Sequence, residues 1–304
     1  MRMLRYHVFG LHFESEIAFP ELESSESAPD VSIRFGDVDF ESPPSSSRSF
    51  CRTDGDTCLL HLKAVGDFSI RAGREIRMAP APDTADDLLR STLLGVCLSV
   101  ILHQRGILAL HASSIRTPHG AILFTGSVGS GKSTILGAFL ERGYRMLADD
   151  VTAVAVGSDG LPLVLPGYPQ TKLWIDSAGE LGHDTDNLVR IDPQRDKFAV
   201  PMRDLFSGEP APLLAVYLLS PWDRETFEID AMTDSRKFDV LSDNTYRKSL
   251  LDCLGLRANH FTLAVAVARA TPIRRVRRPM SGFRLRELAD AIEADLGDLR
   301  PRDC

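Results

Sequence analysis

No two cysteines in this chain have the CxxC spacing, and no Cys/His ligand cluster appears along it. The five that occur (Cys51, Cys58, Cys97, Cys253 and Cys304) are scattered and odd in number. Such a set indicates neither a disulfide framework nor a structural zinc site, and it fits a reducing cytoplasm. Net positive charge is missing too: 35 Lys+Arg against 42 Asp+Glu give a formal charge of −7. That disfavours a general nucleic-acid or anionic-membrane binder, because such partners reward positive charge. One basic run, RRVRR at 274–278, could still meet phosphates locally, though a solvated strand or loop is the commoner explanation. Long apolar runs are absent. The longest, LLGVCLSVIL at 93–102, is about half of what a bilayer crossing needs and belongs to a buried helix. The opening MRMLRYHVFGLHFESE lacks the apolar core of a secretory signal. Neither a nucleic-acid nor a membrane partner is expected, and no internal repeat occurs.

What is present is an ordinary globular composition, 43% hydrophobic and 25% charged over 304 residues, enough for one large domain or two modest ones. Residues 1–80 read as a small β-rich lobe of short strands, with ELESSESAPD and ESPPSSSRS as polar loops. PAPDTADD at 80–87 marks a boundary, where Asp83 or Thr84 can cap a helix running to about His103. Residues 81–304 form the second domain. ILALHASSI (107–115) and GAILFTG (120–126) read as strands, VTAVAVGSDGLPLVLPGY as two strands about a turn, and APLLAVYLLS (211–220) as a central strand. Residues 234–258 suggest helices, HFTLAVAVA (260–268) a late strand, and FRLRELADAIEADL (283–296) an amphipathic helix with Leu285, Leu288, Ile292 and Leu296 on one side. The fold class is α/β.

The chemistry concentrates in GSVGSGKST, residues 126–134. Gly126, Ser127, Val128, Gly129, Ser130, Gly131, Lys132 and Ser133 match GxxxxGK[ST], and Thr134 follows. Glycines at these positions let successive backbone N–H groups point at phosphate oxygens, and the helix that opens behind them adds its positive end. Lys132 can reach terminal phosphates, and the Ser133 hydroxyl can ligate Mg²⁺. An apolar strand before the loop and a helix after it supply the required context, so ATP and Mg²⁺ are the expected cofactors. The helix should end at Gly143, and the short strand YRMLA then carries Asp149 and Asp150 at its C-terminal end. A right-handed crossover makes that strand parallel to the loop's strand, which delivers both carboxylates to the phosphate edge. Adjacent residues on a strand face opposite ways, so the two acids should divide the work: one on the metal side, one facing an acceptor hydroxyl. His111, ending ILAL, can orient a carboxylate or be a structural histidine.

LHASSI, GSVGSGKST and RGYRMLADDV together resemble the catalytic domain of HPr kinase/phosphorylase, whose Asp pair follows the P-loop helix at short range, a spacing shared with phosphoenolpyruvate carboxykinases. FGLHFESEIAFPEL, LLGVCLSVILHQRGILALHAS, PGYPQTKLW and DKFAV look closer to the HPr-kinase-like group found with ribosomally made peptides, which includes lasso peptide precursor kinases. This resemblance covers nearly the whole chain. It implies a P-loop core of the HPr-kinase/PEP-carboxykinase kind and a cytoplasmic ATP-dependent serine kinase whose acceptor is the C-terminal serine of a precursor peptide. It implies Asp149 as base, Asp150 as the metal-side acid beside Ser133, and His111 in support. The base and metal labels remain exchangeable. Lys197 in DKF is a further candidate cation. Self-association follows only from the rings that HPr kinases form. The chain lacks the Glu-x-Arg-Gly segment and the N-terminal domain of HPr kinases, which counts against HPr as substrate. An HPr-type kinase, a small-molecule kinase and a non-catalytic nucleotide-binding module are the alternatives.

Overall fold

The computed structural model describes residues 3–40, 49–174, 189–192, 195–233, 235–280 and 284–299, with the side chains of 172–199 outside the description. It is a mixed α/β structure. Contacts divide the chain into two compact units: one runs to Ala109 and takes in Thr245–Leu263, the other comprises Leu110–Asn244 and the chain from Ala264. No helix among the described residues is long and apolar enough to cross a membrane.

The first unit is built on a sheet ordered β3-β1-β2-β4-β8-β7-β6-β5. Its strands are β1 (Leu4–Val8), β2 (Leu11–Ser15), β3 (Glu23–Ser24), β4 (Val31–Phe35), β5 (Phe50–Asp54), β6 (Thr57–Leu62), β7 (Gly66–Arg71) and β8 (Glu75–Pro80). Alternate residues are buried, as Leu11, Phe13 and Ser15 in β2 and Ile76 and Met78 in β8, so one face of each strand meets the core. Phe9 and Gly10 close the β1–β2 hairpin with φ of 54° and 70°, the two left-handed residues that a tight two-residue turn demands. The helix after β8 is α1 (Asp86–Thr92), a π-helical turn (Leu93–Cys97) and α2 (Leu98–Gln104). Its middle is buried at Leu93, Leu94, Cys97, Leu98, Val100 and Ile101. The expected side-chain cap is not formed. Ala85 occupies the N-cap, and the Thr84 hydroxyl is shared instead between Val65 O and Ala81 O (3.0 and 2.8 Å).

This unit also corrects the cysteine reading. Cys51 and Cys253, 202 residues apart, are joined in a disulfide. A pairing of that kind is set by tertiary contact, so no local spacing could announce it.

The chain passes from the first unit to the second within β9 (Leu108–Leu110), and the second unit continues with β10 (Ala112–Thr117), β11 (Gly120–Thr125), α3 (Lys132–Glu141) and β12 (Arg145–Ala148). Next come β13 (Thr152–Val156), β14 (Pro162–Leu165), β15 (Gln170–Trp174), β16 (Val189–Asp192), β17 (Arg195–Pro201), β18 (Ala211–Trp222), β19 (Glu228–Ala231) and β20 (Ile273–Pro279). The main sheet runs β12-β10-β11-β18-β14-β13, with β20 beside β18 and β19 beside β20. β11 lies between β10 and β18 and is buried at all six residues, as expected of an apolar strand covered on both faces. β10 is antiparallel to both β11 and β12. β12 therefore runs with β11, one strand removed. β18 is parallel to β11, and β20 to β18, so the C-terminal ends of these strands share one edge.

α3 buries Ile135, Leu136, Ala138, Phe139 and Leu140, and the Phe139 ring lies 5.3 Å from that of Phe124 on β11. It stops where expected: Gly143 takes φ 87°, and Gly143 and Tyr144 donate back to Leu140 O and Phe139 O (3.0 and 3.1 Å), closing the helix with a left-handed residue. The C-terminal helix Leu285–Asp298 presses Leu288, Ile292 and Leu296 into the same core. Tyr217 ties it down by donating to Asp295 (3.0 Å).

Two strand expectations need correction. HFTLAVAVA lies in the helix Arg257–Ala270, with His260, Ala264, Val267 and Ala268 buried. That three-to-four spacing, and an alanine-rich composition, outweigh the alternating valines. The strand read across 107–115 is interrupted at His111. Its N–H donates to Asn244 O (2.7 Å) and its carbonyl accepts from Thr125 Oγ1 (3.0 Å), so neither group is available to continue the ladder.

Candidate phosphate-transfer site

The loop after β11 is shaped by its glycines. Gly126 has φ 144°, and a Cβ built there would stand 2.6 Å from Leu219 O and 2.9 Å from Ser130 Oγ. Gly129 has φ 80° with nothing within 4 Å of such a Cβ, and Gly131 has φ 97° at the N-cap of α3. Ser127, Val128 and Gly129 are exposed at the tip, while Ser130 turns inward and its N–H donates to Ser127 O (3.1 Å). Ser130 Oγ is buried with no partner among the described residues. Thr134 is buried in the first turn of α3. Gly126→Ala and Gly129→Ala separate the two demands on the loop. Gly129→Ala should cost about 1 kcal/mol for a left-handed alanine. Gly126→Ala should cost about 1–3 kcal/mol more, because it also meets the β18 backbone. Urea unfolding of both variants measures the difference.

Lys132 is nearly buried, and its Nζ donates to Gly126 O and Ser127 O (2.9 and 3.1 Å). Ser133, next in sequence, donates its hydroxyl to Asp149 Oδ1 at 3.0 Å. The acidic pair thus arrives at the loop. Asp149 is 6% exposed and gathers two further hydroxyls, Ser113 onto Oδ1 and Thr171 onto Oδ2, each at 2.5 Å. β12 ends at Ala148, and Asp150 takes φ 70°, a left-handed conformation outside the strand. His111 Nδ1 lies 3.0 Å from Asp150 O and 3.5 Å from Asp150 Oδ1. A carbonyl can only accept, so Nδ1 carries the proton in this contact.

Three residues at the site were not singled out from sequence. Ser113 sits in LHASSI and Thr171 in PGYPQTKLW, inside stretches already noted, but only the fold aims both hydroxyls at Asp149. Arg278 ends the run RRVRR. Instead of being solvated, its Nε and Nη2 both donate to Ser130 O (3.0 and 2.8 Å), and burial pushes its pKa below the ordinary value. A guanidinium therefore lies against the outer backbone of the glycine loop. Lys197 lies on β17 opposite Trp174 in register, and its side chain is outside the described residues.

The donor set of Ser133 hydroxyl and Asp149 carboxylate is hard oxygen, which fits Mg²⁺. A loop whose glycines all take positive φ, with Gly126 too close to Leu219 O to carry a Cβ, followed by a helix N-terminus, fits a phosphate chain.

No protein-family model matches the chain, and no curated protein does. Among solved structures, the HPr(Ser) kinase/phosphatase from Coxiella burnetii is similar over 62% of this chain and 94% of its own, at 10% identity and a TM-score of 0.31. A likeness at that score carries no inference about activity.

Proposed function

We propose that the chain is an ATP-dependent serine kinase with a P-loop core, acting on a peptide, with the C-terminal serine of a ribosomally made precursor peptide as acceptor. One observation carries this reading: the hydroxyl of Ser133, in the glycine loop, is bonded to Asp149, the first carboxylate of an adjacent acidic pair whose second member lies beside His111. Bare nucleotide binding needs the first carboxylate. Transfer to a hydroxyl needs the second.

The division of roles follows the contacts. Asp149, held by Ser113, Ser133 and Thr171, has both oxygens engaged and is the metal-side acid. Asp150, beside His111, serves as base. These labels are the exchange of those that the family resemblance implies. Bound Mg²⁺, held by Ser133 and Asp149, would neutralise charge on the phosphate oxygens. Lys132 turns from the loop carbonyls to the terminal phosphates, and the loop amides hold the chain in line for displacement. Asp150 takes the proton of the seryl hydroxyl as its oxygen attacks the γ-phosphorus. The bond from that phosphorus to the bridging oxygen breaks, and ADP leaves with the electron pair. His111 holds Asp150 in place through the Nδ1 proton.

The acceptor is tested by incubating the protein with Mg-ATP and three peptides of one sequence: ending in serine, ending in alanine, and carrying serine only internally. Site mapping by mass spectrometry should find phosphate on the terminal serine alone. Transfer to the internal serine would refute the terminal-residue assignment. Tight ATP binding with no transfer to any peptide would favour the regulatory module instead.

A further inference from the structure

Three sulfurs converge in the first unit. Cys51 on β5 is disulfide-bonded to Cys253, at the end of the helix Leu250–Cys253. Cys58 on β6 places its Sγ 3.6 Å from Cys51 Sγ, and all three sulfurs lie within 4.8 Å of one another. The strand register sets this up. Thr53 stands opposite Cys58 and Leu60 opposite Cys51, so Cys51 and Cys58 are diagonal neighbours across two adjacent strands. While the disulfide stands, two of the three sulfurs are not thiolates. That makes the cluster a place for exchange before it is a place for a metal.

We propose that Cys51, Cys58 and Cys253 form a thiol–disulfide exchange site in which Cys58 displaces Cys253 from Cys51. The Cys58 thiolate attacks Cys51 Sγ, and a Cys51–Cys58 bond forms as the Cys51–Cys253 bond breaks. The electron pair leaves on Cys253 Sγ, which takes up the proton that Cys58 gave, so no oxidant or reductant is consumed. Thr53 Oγ1, which donates to Cys253 O, lies 3.4 Å from Cys253 Sγ and can accept from the Cys253 thiol once it is released and protonated. The exchange replaces a crosslink between residues 202 apart by one between residues 7 apart. It therefore releases the segment that carries Cys253 from β5 without changing the number of disulfides, and removes the constraint that a long closed loop places on the unfolded chain.

Burial holds the Cys58 thiol up at about 12, so its thiolate is scarce at neutral pH and the Cys253-linked form persists there. Below that value the thiolate fraction, and with it the exchange rate, rises about tenfold per pH unit.

The test uses the full chain, oxidised with glutathione disulfide and freed of it. The protein is incubated without oxygen at neutral and successively higher pH, quenched in acid, alkylated, digested and mapped by mass spectrometry. The expected result is one disulfide per chain throughout, with Cys51–Cys58 appearing and Cys253 becoming alkylated at a rate that climbs with pH, while Cys97 stays a thiol. Cys51–Cys253 as the sole linkage at every pH overturns the proposal, as does a linkage to Cys97. Cys253→Ser supplies the second arm. On oxidation it should close Cys51–Cys58, whereas a glutathione adduct that persists on Cys51 counts against exchange.

Discussion

Asp150→Asn is expected to lower phosphoryl transfer by about 10²–10⁴-fold, the usual contribution of a positioned general base, while ATP affinity stays within a few-fold. The substitution is unusually clean. Asp150 holds φ at 70°, a region that asparagine tolerates better than other residues with a side chain, so the backbone turn should survive and only the charge is lost. Single-turnover transfer and ATP calorimetry on the same sample separate the two effects. Transfer near the unsubstituted rate would remove Asp150 from the role of base. Asp149→Asn should behave differently. It takes the negative charge from beneath the hydroxyls of Ser113, Ser133 and Thr171, so its loss should appear in the Mg²⁺ dependence of nucleotide binding.

Lys132→Ala should weaken both binding and transfer. The ammonium is nearly buried and already bonded to two loop carbonyls, so it is positioned on the loop and needs little reordering to meet a phosphate. Removing one member of a buried, charged contact costs about 2–4 kcal/mol, or roughly 30- to 1,000-fold in affinity. ATP titration measures the loss, and a circular dichroism melt shows whether the fold survives. Lys132→Arg should not restore binding, because a planar guanidinium cannot occupy the space of a compact ammonium. Full affinity in Lys132→Ala would mean that nucleotide binds elsewhere.

The parts of this molecule that could be read in advance are those dictated over short stretches of chain. A glycine pattern between an apolar strand and a helix defines the loop, Gly143 ends the helix, and crossover handedness returns the next strand to the same edge. Ser133 and Asp149 meet because of that local logic. What escaped reading depends on residues far apart. Ser113 and Thr171 reach Asp149 from two other strands, and Arg278 reaches Ser130 from across the sheet. The left-handed backbone at Asp150 follows the end of β12, and alternation along a strand does not foretell it. Valine-alanine alternation at 260–268 satisfies helix and strand alike over so short a run, and the spacing of the buried residues, with the alanine content, decides between them. The Cys51–Cys253 bond has no local trace at all.

The proposed function requires that the glycine loop and Asp149 together bind a metal–nucleotide triphosphate. Calorimetric titration of the intact protein with ATP, in the presence of Mg²⁺ and then of a chelator, addresses it most directly. One site per chain is expected, clearly tighter with the metal, with ADP weaker than ATP and the metal dependence lost in Ser133→Ala. Absence of binding, or binding indifferent both to Mg²⁺ and to Ser133, would contradict it.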